Sequence, residues 1–347
     1  MASRRKLSGF SPSDGRLLPV ADSHNDLLLA CMHRRERGVR DPFGDDWLPG
    51  LRAGGVVFQV LPIFTEEQFI GEAALRRTLE IVSLAREIAE LHSRDVAVVE
   101  TAADMDRIIG SGRIALLLAI EGAEPVGSSI SMFETLHRLG VRMASLTWNR
   151  RTMLADGIAE SGTGGRLSSL GVEAVAEMER LNMVVDVSHL SAAGVDHLAE
   201  IATLPFVASH SSCRALCDHP RNLSDAQIRL VADSGGFVSV NAFGPFVDER
   251  APSIDVFIDH LEHVAAVAGD DKAAIGADFI MDLVRIVDPI LGRQILVDVE
   301  SLVVIDDLKA PADFANLSQR LQQRCGPARA ARFAAANMID FFRATLN

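Results

Sequence analysis

The segment Ile114-Ala-Leu-Leu-Leu-Ala-Ile-Glu121 decides the fold. Its apolar residues are continuous rather than alternating with polar ones. That pattern is typical of a strand in a parallel sheet that helices cover on both faces. The run ends at a carboxylate, Glu121. The segment therefore predicts a buried parallel strand with a polar side chain at its C-terminal end.

Short apolar runs of the same kind recur along the chain. They lie at Leu17–Asp22, Gly55–Pro62, Ile114–Glu121, Val141–Thr147, Met183–Ser188, Phe206–Ser209, Gly236–Asn241 and Ala274–Ala277. Segments with helical periodicity separate or follow them, at Glu72–Ser93, Val172–Leu181, Ser191–Ile201, Ser224–Val231 and Ile254–Ala268. Strand and helix alternate about eight times, which predicts an α/β fold of the (β/α)8 TIM-like barrel type. A doubly wound open sheet is the alternative.

The same pattern bears on domain organisation. The chain has 347 residues, enough for two average domains, but single α/β barrels of this size are common. No internal repeat, low-complexity tract or linker is visible. We expect residues 1–347 to form a single metal-dependent hydrolase barrel domain, with residues 1–16 as an N-terminal extension. Extra C-terminal helices, Pro311–Arg324 and Pro327–Leu346, should pack against the barrel.

Charge and cysteine content narrow the class of partner. The formal net charge of −13 argues against nucleic acid or an anionic membrane as a partner, since both select basic patches. The N-terminus lacks the apolar core of a secretory signal, and no run approaches the ~18 apolar residues of a membrane span. The four cysteines are irregularly spaced, so we expect reduced thiols and a cytoplasmic location.

Ligand-type side chains follow five of the predicted strands. His24 and Asp26 lie two residues apart, so in an extended segment they project from the same face. Any one such residue alone is more often structural, as a hydrogen-bonded histidine or a helix cap. Chemistry in such barrels lies at the C-terminal strand ends. These ends also carry Glu121, His189, His210 and Asp278. Their common placement predicts one shared site.

The residue types indicate a metal. Three imidazoles and three carboxylates suit borderline divalent ions, zinc foremost. They exceed what one tetrahedral ion needs, which a carboxylate bridging two ions would explain. Such a pair can hold a hydroxide and clamp a carbonyl oxygen, so the site predicts a metal-centred hydrolase. Arg214 and Arg221 follow His210, and a guanidinium there can bind a substrate carboxylate. His260 and His263 should be surface residues of a helix.

Several segments resemble the membrane dipeptidase (renal dipeptidase) family of zinc peptidases, in one order from about Leu17 to the C-terminus. They are Asp22-Ser-His-Asn-Asp26, Ala119-Ile-Glu-Gly122, Glu177–Ser191, Ala208–Asp225, Ile275-Gly-Ala-Asp-Phe279 and Ala336–Arg343. The resemblance implies a barrel with two Zn²⁺ ions that hydrolyses dipeptides. It also implies a role for each matching residue.

In the implied arrangement the metal ligands are His24 and Asp26 for one zinc, His189 and His210 for the other, and Glu121 bridging both. Arg221 would bind the terminal carboxylate of the substrate. Asp278 would move a proton between the bridging water and the leaving amine. Glu121 and Asp278 are thus the implied catalytic carboxylates. The resemblance is also compatible with a homodimer.

One position departs from the family pattern. Relatives carry a histidine in a Leu-Thr-His-Asn stretch, which is thought to polarise the scissile carbonyl. Here the stretch is Leu146-Thr-Trp-Asn149, so Trp148 takes the substrate-facing place. An indole N–H donates a hydrogen bond but cannot become cationic. Either the metal takes over that task or the range of substrates has changed.

The sequence therefore predicts a cytoplasmic binuclear zinc dipeptidase for small dipeptides with a free C-terminal carboxylate. A metal-bridging hydroxide would attack the peptide bond. Two alternatives stay open. One is another amide hydrolase on the same scaffold, acting on N-acyl amino acids or lactams. The other is a metal-binding protein whose catalysis is impaired by the change at Trp148.

Overall fold

A computed structural model of the chain describes residues 17–69, 71–287 and 303–346. The predicted N-terminal extension, residues 1–16, lies outside the described residues. Eight strands form one sheet, and every strand pair in it is parallel. They are β1 (Val20–Asp22), β2 (Val56–Phe64), β3 (Val96–Val98), β4 (Ile114–Glu121), β5 (Val141–Ser145), β6 (Val184–Asp186), β7 (Val238–Val240) and β8 (Ala273–Ile275).

The sheet closes into a barrel. Its strand order is β6-β5-β4-β2-β1-β8-β7, and the gap between β6 and β7 is filled by the segment around Val207. Val207 bridges to Asp186, and Ala208 bridges to Val238, both in parallel. The predicted (β/α)8 TIM-like barrel is confirmed, and the open doubly wound sheet is excluded.

The prediction of a regular strand at Phe206–Ser209 is wrong, because this segment makes isolated bridges only. The cause is side-chain competition for the backbone of Ser209. Its N–H donates to the Asp186 carboxylate at 2.9 Å, and its carbonyl accepts from Ser23 Oγ at 2.5 Å. These bonds replace the ladder that a strand would continue.

Strand β3 was not predicted from the sequence. It pairs with Ile114–Leu116 of β4, whereas β5 pairs with Leu118–Ile120 of the same strand. Since β2 occupies the other edge of β4, β3 and β5 share one edge at different heights. Strand β3 therefore lies toward the N-terminal end of the barrel, away from the predicted site.

Helices surround the sheet. They are α1 (Leu27–Glu36), α2 (Leu48–Ala53), α3 (Glu72–Leu91), α4 (Ala102–Gly110), α5 (Met132–Arg138), α6 (Ser169–Arg180), α7 (Ala192–Ile201), α8 (Asp225–Asp233), α9 (Gly244–Val247), α10 (Ile254–Ala268), α11 (Ile280–Ile286), α12 (Phe314–Ala331) and α13 (Asn337–Thr345). Segments of π-helix lie at Phe43–Trp47 and Arg332–Ala336, and segments of 3-10 helix lie at Ile158–Thr163 and Pro311–Asp313. The predicted cap of α7 is confirmed, since Ser191 Oγ accepts from Gly194 N at 3.1 Å.

The C-terminal helices pack on the barrel as predicted. A non-helical residue, Gly326, kinks α12 just before Pro327, where the sequence predicts a break. Phe342 of α13 packs on Phe58 with ring centroids 5.1 Å apart. Asn337 Nδ2 donates to the carbonyl of Ala273 at 2.8 Å. Because Phe58 and Ala273 lie near the starts of β2 and β8, α13 covers the N-terminal end of the barrel.

The prediction that His260 is a surface residue is wrong. Its side chain is buried, with Nδ1 accepting from Cys213 N at 2.9 Å and Nε2 donating to the Val247 carbonyl at 3.0 Å. His263 is partly buried and contacts Asp225 at 2.8 Å. All four cysteines are free thiols. Among the described residues, none of the helices has both the length and the apolar character needed to cross a bilayer.

Candidate metal centre

The site begins at the end of β1, where Asp22 fixes the local backbone. This carboxylate is fully buried and accepts from Gln59 Nε2 at 3.0 Å and from Ala277 N at 2.9 Å. Asp278 N in turn donates to the His24 carbonyl at 3.1 Å. These bonds tie β1 to β2 and to the loop after β8, so the segments that carry His24 and Asp278 are held side by side.

Glu121 lies at the centre of the predicted site. Its Oε2 is 3.5 Å from His24 Nε2, whereas its Oε1 is 3.1 Å from His189 Nε2 and 3.5 Å from His210 Nε2. Asp26 Oδ2 lies 3.6 Å from His24 Nε2. The structure therefore brings together all five predicted metal-binding residues. The two oxygens of Glu121 face two different sets of imidazoles.

The residues fit divalent cations. Ligand atoms of His24, Glu121 and His210 lie within 4.8 Å of one another, as do those of His24, Asp26 and Asp278. Asp26 Oδ1 is buried and has no hydrogen-bond partner among the described residues. Buried polar atoms are normally paired, so an unpaired carboxylate oxygen beside the His24 imidazole suits a cation.

The spacing of the His189 and His210 imidazoles needs only a small adjustment to suit a metal. His189 Nε2 and His210 Nε2 are 2.8 Å apart. Two nitrogens on one tetrahedral zinc would lie roughly 3.3 Å apart.

His210 is oriented by a hydrogen-bonded chain. Its Nδ1 is 2.7 Å from Ser209 Oγ, and that hydroxyl donates to Asp186 Oδ2. Asp186 also accepts from Ser188 N at 3.0 Å, so the acceptor is itself fixed. With Nδ1–H donating to the serine, the lone pair of Nε2 points to the centre. Such partners set the tautomer of a metal-binding histidine.

His189 is oriented in the same way by Asn149. Its Nδ1 donates to Asn149 Oδ1 at 2.7 Å, which leaves Nε2 available. His189 also has a φ of +68°, and Asp278 a φ of +53°, in the left-handed region that non-glycine residues rarely adopt. Backbone strain of this kind clusters at functional sites because the surrounding structure must hold it.

Burial and charge set the ionisation of the site. Burial lowers the pKa of His189 and of His210 well below the ordinary value, and Arg221 adds to this effect. Both imidazoles are therefore neutral, the form that binds a metal. For His24, burial opposes the charged form, but Glu121 and Asp26 outweigh it and raise the pKa. Burial raises the pKa of Glu121 to about 7, with Asp26 adding to the shift.

Arg221 is buried beside the centre. Its Nη1 donates to Ser211 Oγ at 2.8 Å and its Nη2 to the His210 carbonyl at 2.9 Å. Its Nε has no partner in the described part of the chain. Arg214 donates to the Pro220 carbonyl at 2.8 Å and braces the loop, and its Nε also lacks a partner among the described residues. Of the two predicted arginines, Arg221 is the one that hydrogen-bonds to the backbone of His210.

Trp148 is partly buried in the loop after β5. Its ring lies 5.0 Å from that of Phe64, edge to face, and 5.8 Å from that of His189. It therefore forms a wall beside the imidazoles. Asp278 accepts from Asn241 Nδ2 at 2.8 Å, which fixes its carboxylate next to His24 and Asp26.

Comparison with known proteins decides the family. The model of the membrane dipeptidase family, peptidase family M19, matches residues 16–287. Dipeptidase verJ of Clonostachys rogersoniana is 33% identical over 284 residues, which cover 76% of this chain and 72% of the relative.

The chain belongs to the membrane dipeptidase family.

It is accordingly a metallopeptidase that acts on peptide bonds. Two solved structures share the fold at 23% identity. One is the family M19 dipeptidase AC, with a TM-score of 0.83, covering 96% of this chain and 100% of that one. The other is a metallopeptidase from Rhodobacter sphaeroides liganded with a phosphinate mimic of the dipeptide L-Ala-D-Ala, with a TM-score of 0.82, covering 95% of this chain and 100% of that one.

Sequence reasoning missed the residues that orient the dipeptidase-family site. Asp22, Asn149, Asp186 and Ser209 carry no ligand signature of their own. The partners of Asp22, Asn149 and Asp186 are distant along the chain, whereas Ser209 contacts the adjacent His210. One signal was present: each lies within three residues of a predicted site residue. Which of them would turn toward the imidazoles depends on the closed barrel.

Proposed function

We propose that the chain is a binuclear zinc dipeptidase. One observation carries the proposal: Glu121 Oε2 faces His24, whereas Glu121 Oε1 faces His189 and His210. A carboxylate arranged in this way can bridge two ions. His24 and Asp26 would hold one zinc, and His189 and His210 the other. Two bound zinc ions supply a nucleophilic water at neutral pH and a Lewis acid for the peptide carbonyl.

The substrate's terminal carboxylate would bind Arg221. The guanidinium is buried and already held by Ser211 and the His210 carbonyl, so it keeps one geometry. Its Nε–H is available for a carboxylate oxygen. A buried, pre-oriented guanidinium recognises a carboxylate with charge-assisted hydrogen bonds. Because this cation lies beside His210, the carboxylate would be close to the scissile bond, which favours dipeptides over longer peptides.

Asp278 would transfer the proton. Its carboxylate is held by Asn241 and shares a group of ligand-type atoms with His24 and Asp26. From that position it can receive a proton from the attacking water and deliver it to the departing nitrogen. Trp148 would line the pocket beside the scissile bond through its ring and its indole N–H. The ligand of the Rhodobacter sphaeroides relative, a dipeptide mimic, supports the same class of substrate.

We also propose that the barrel and the C-terminal helices act as one domain in a reducing compartment such as the cytoplasm. The contacts of Asn337 and Phe342 with the barrel support the single domain. The four free cysteines support the reducing compartment.

A substrate panel tests the proposal. The zinc-loaded protein is assayed with small L,L and L,D dipeptides and with N-acyl amino acids, while bound zinc is measured by elemental analysis. We expect two zinc ions per chain and faster turnover of the dipeptides. Equal or faster turnover of N-acyl amino acids would reject the dipeptidase function. Two bound zinc ions with no cleavage of either class would favour a protein with impaired catalysis.

A further inference from the structure

Glu124 is a partly buried carboxylate close in sequence to Glu121, and none of the roles above uses it. It lies in the loop after β4, three residues beyond Glu121. Its side chain folds back over Gly122: a β-carbon added at Gly122 would lie 2.2 Å from Glu124 Oε2 and 3.2 Å from Trp148 N. Gly122 has a φ of +83° and leaves this space open. The carboxylate thus lies between the backbone next to Glu121 and the start of the loop that carries Trp148.

Glu124 lacks a positive partner within the described residues. The basic side chain of Arg150 pairs with Glu67, through an Nε–Oε1 contact of 2.6 Å. Burial raises the pKa of Glu124 to about 7, and the negative charge of Glu67 adds to the shift. A partly buried carboxylate beside a second one is stabilised by any cation that reaches it.

Glu124 follows β4, which lies three positions around the barrel from the segment that precedes Arg221. Arg221 contacts residues at the end of the segment between β6 and β7. We count strands around the closed barrel from this segment. Strand β2 is the fourth in either direction, and β4 is next to β2. Because Glu67 is already paired with Arg150, Glu124 supplies the unpaired negative charge, and it follows a different part of the barrel from the buried guanidinium of Arg221.

We propose that Glu124 binds the α-ammonium group of the substrate and makes the site selective for dipeptides with a free N-terminus. This assignment rests on the proposed dipeptidase function, in which Arg221 holds the opposite end of the same molecule. A zwitterionic dipeptide spans the two charges. An N-acyl amino acid meets Arg221 equally well but leaves Glu124 unpaired. A charge-assisted hydrogen bond of this kind corresponds to about 10- to 100-fold in kcat/KM.

The test compares a dipeptide with its counterpart that lacks only the amino group. The zinc-loaded wild type and Glu124→Gln are assayed with Ala-Ala and with propionyl-alanine. We expect the wild type to prefer Ala-Ala and Glu124→Gln to lose about 10- to 100-fold in kcat/KM for Ala-Ala, chiefly through KM. Turnover of propionyl-alanine should change less than threefold, roughly the limit of a surface charge effect.

Glu160→Gln is the matched control. It removes one negative charge from the loop after β5, where Glu160 acts on Arg150 and Arg151 rather than on Glu124. Its preference for Ala-Ala should equal that of the wild type. The proposal is overturned if Glu124→Gln keeps the wild-type preference, or if both substrates lose turnover equally in that variant.

Calorimetric binding separates this proposal from the dipeptidase function. If the wild type cleaves neither compound, the proposed function fails, and the affinities for Ala-Ala and propionyl-alanine then decide the role of Glu124. Tighter binding of Ala-Ala that is lost in Glu124→Gln supports the ammonium site. Equal affinities of the two compounds for the wild type, or a preference retained in Glu124→Gln, would refute it.

Discussion

At the scale of single residues, Ser209 connects the barrel to the chemistry. Its hydroxyl lies between His210 Nδ1 and the Asp186 carboxylate, and the residue directly follows Val207 and Ala208, whose bridges close the barrel. Partners of this kind fix the ring of a metal-binding histidine, and their loss commonly costs 10- to 100-fold in metal affinity. The candidate site therefore depends on residues that are not themselves metal ligands.

Ser209→Ala should weaken zinc binding by about 10- to 100-fold, because His210 loses the acceptor that fixes its tautomer. Competition with a chromophoric chelator measures the affinity. Ser188→Ala is the matched control, since Ser188 Oγ accepts from the backbone N–H of His210 rather than from its ring. Equal zinc affinities for the two variants would show that the chain from Asp186 does not orient the imidazole.

Asp278→Asn should lower kcat by about 100- to 10,000-fold and leave the zinc content near normal, because the amide cannot transfer the proton. The amide oxygen can still accept from Asn241 Nδ2, so the local structure should persist. Steady-state kinetics and elemental analysis are the measurements. Full kcat in this variant would rule out the proton-transfer role.

At the scale of elements, the approach of the loop after β8 to the segment between β6 and β7 sets the geometry of the site. Gly276 permits it, since a β-carbon there would lie 1.8 Å from the Ser209 carbonyl oxygen. Both neighbouring segments carry proposed site residues, Asp278 and His210. Close contact between backbones, rather than side-chain chemistry, determines where these two residues lie.

Gly276→Ala should lower the free energy of unfolding by about 1–3 kcal/mol, the usual cost of overpacking, and should weaken zinc binding. Gly110→Ala is the control: it lies in α4 with no atom near the added carbon, so stability should rise by about 0.5–1 kcal/mol. Urea denaturation measures both. Unchanged stability in Gly276→Ala would mean that the loop can move away without cost.

Apolar runs predicted most elements because a parallel strand buried on both faces leaves a continuous signal, as in β4. The ligand-type residues at their ends were predictable for the same reason. Strand β3 was missed because two of its three residues are partly exposed, whereas the other three-residue strands are buried throughout. The irregularity at Phe206–Ser209 and the roles of Asn149 and Glu124 depend on contacts between segments that only the closed barrel brings together.

At the scale of the whole molecule, one buried ion network links the loop after β2 to two helices. Glu66 is fully buried and contacts His33 Nε2 at 2.8 Å and Arg77 Nη2 at 2.7 Å. Burial alone would raise the pKa of Glu66, but the hydrogen bonds from His33 and Arg77 outweigh it and lower the pKa to about 2. The ionised carboxylate thus joins α1, α3 and the barrel.

The network predicts acid sensitivity. Since the pKa of Glu66 is lower in the folded state than its ordinary value of 4.5, its stabilisation is present above pH 4.5 and declines as the pH falls toward 2. The stabilisation that is lost on full protonation of Glu66 amounts to about 3 kcal/mol. Glu66→Gln should therefore be less stable than the wild type at pH 7, with a smaller difference at pH 3.

Urea denaturation at the two pH values measures this difference in the free energy of unfolding. The titration of groups that both proteins share cancels when the variant is compared with the wild type. Glu80→Gln is the control, because Glu80 is an exposed partner of Arg77 at 3.9 Å and should contribute less than about 1 kcal/mol. A difference between Glu66→Gln and the wild type that is the same at pH 7 and pH 3 would contradict the lowered pKa.

The most direct test of the account is a crystal structure of the zinc-loaded protein with anomalous data at the zinc edge. We predict two peaks, one beside His24 and Asp26 and one beside His189 and His210, with one oxygen of Glu121 toward each. A single peak, or peaks that do not contact Glu121, would contradict the binuclear centre.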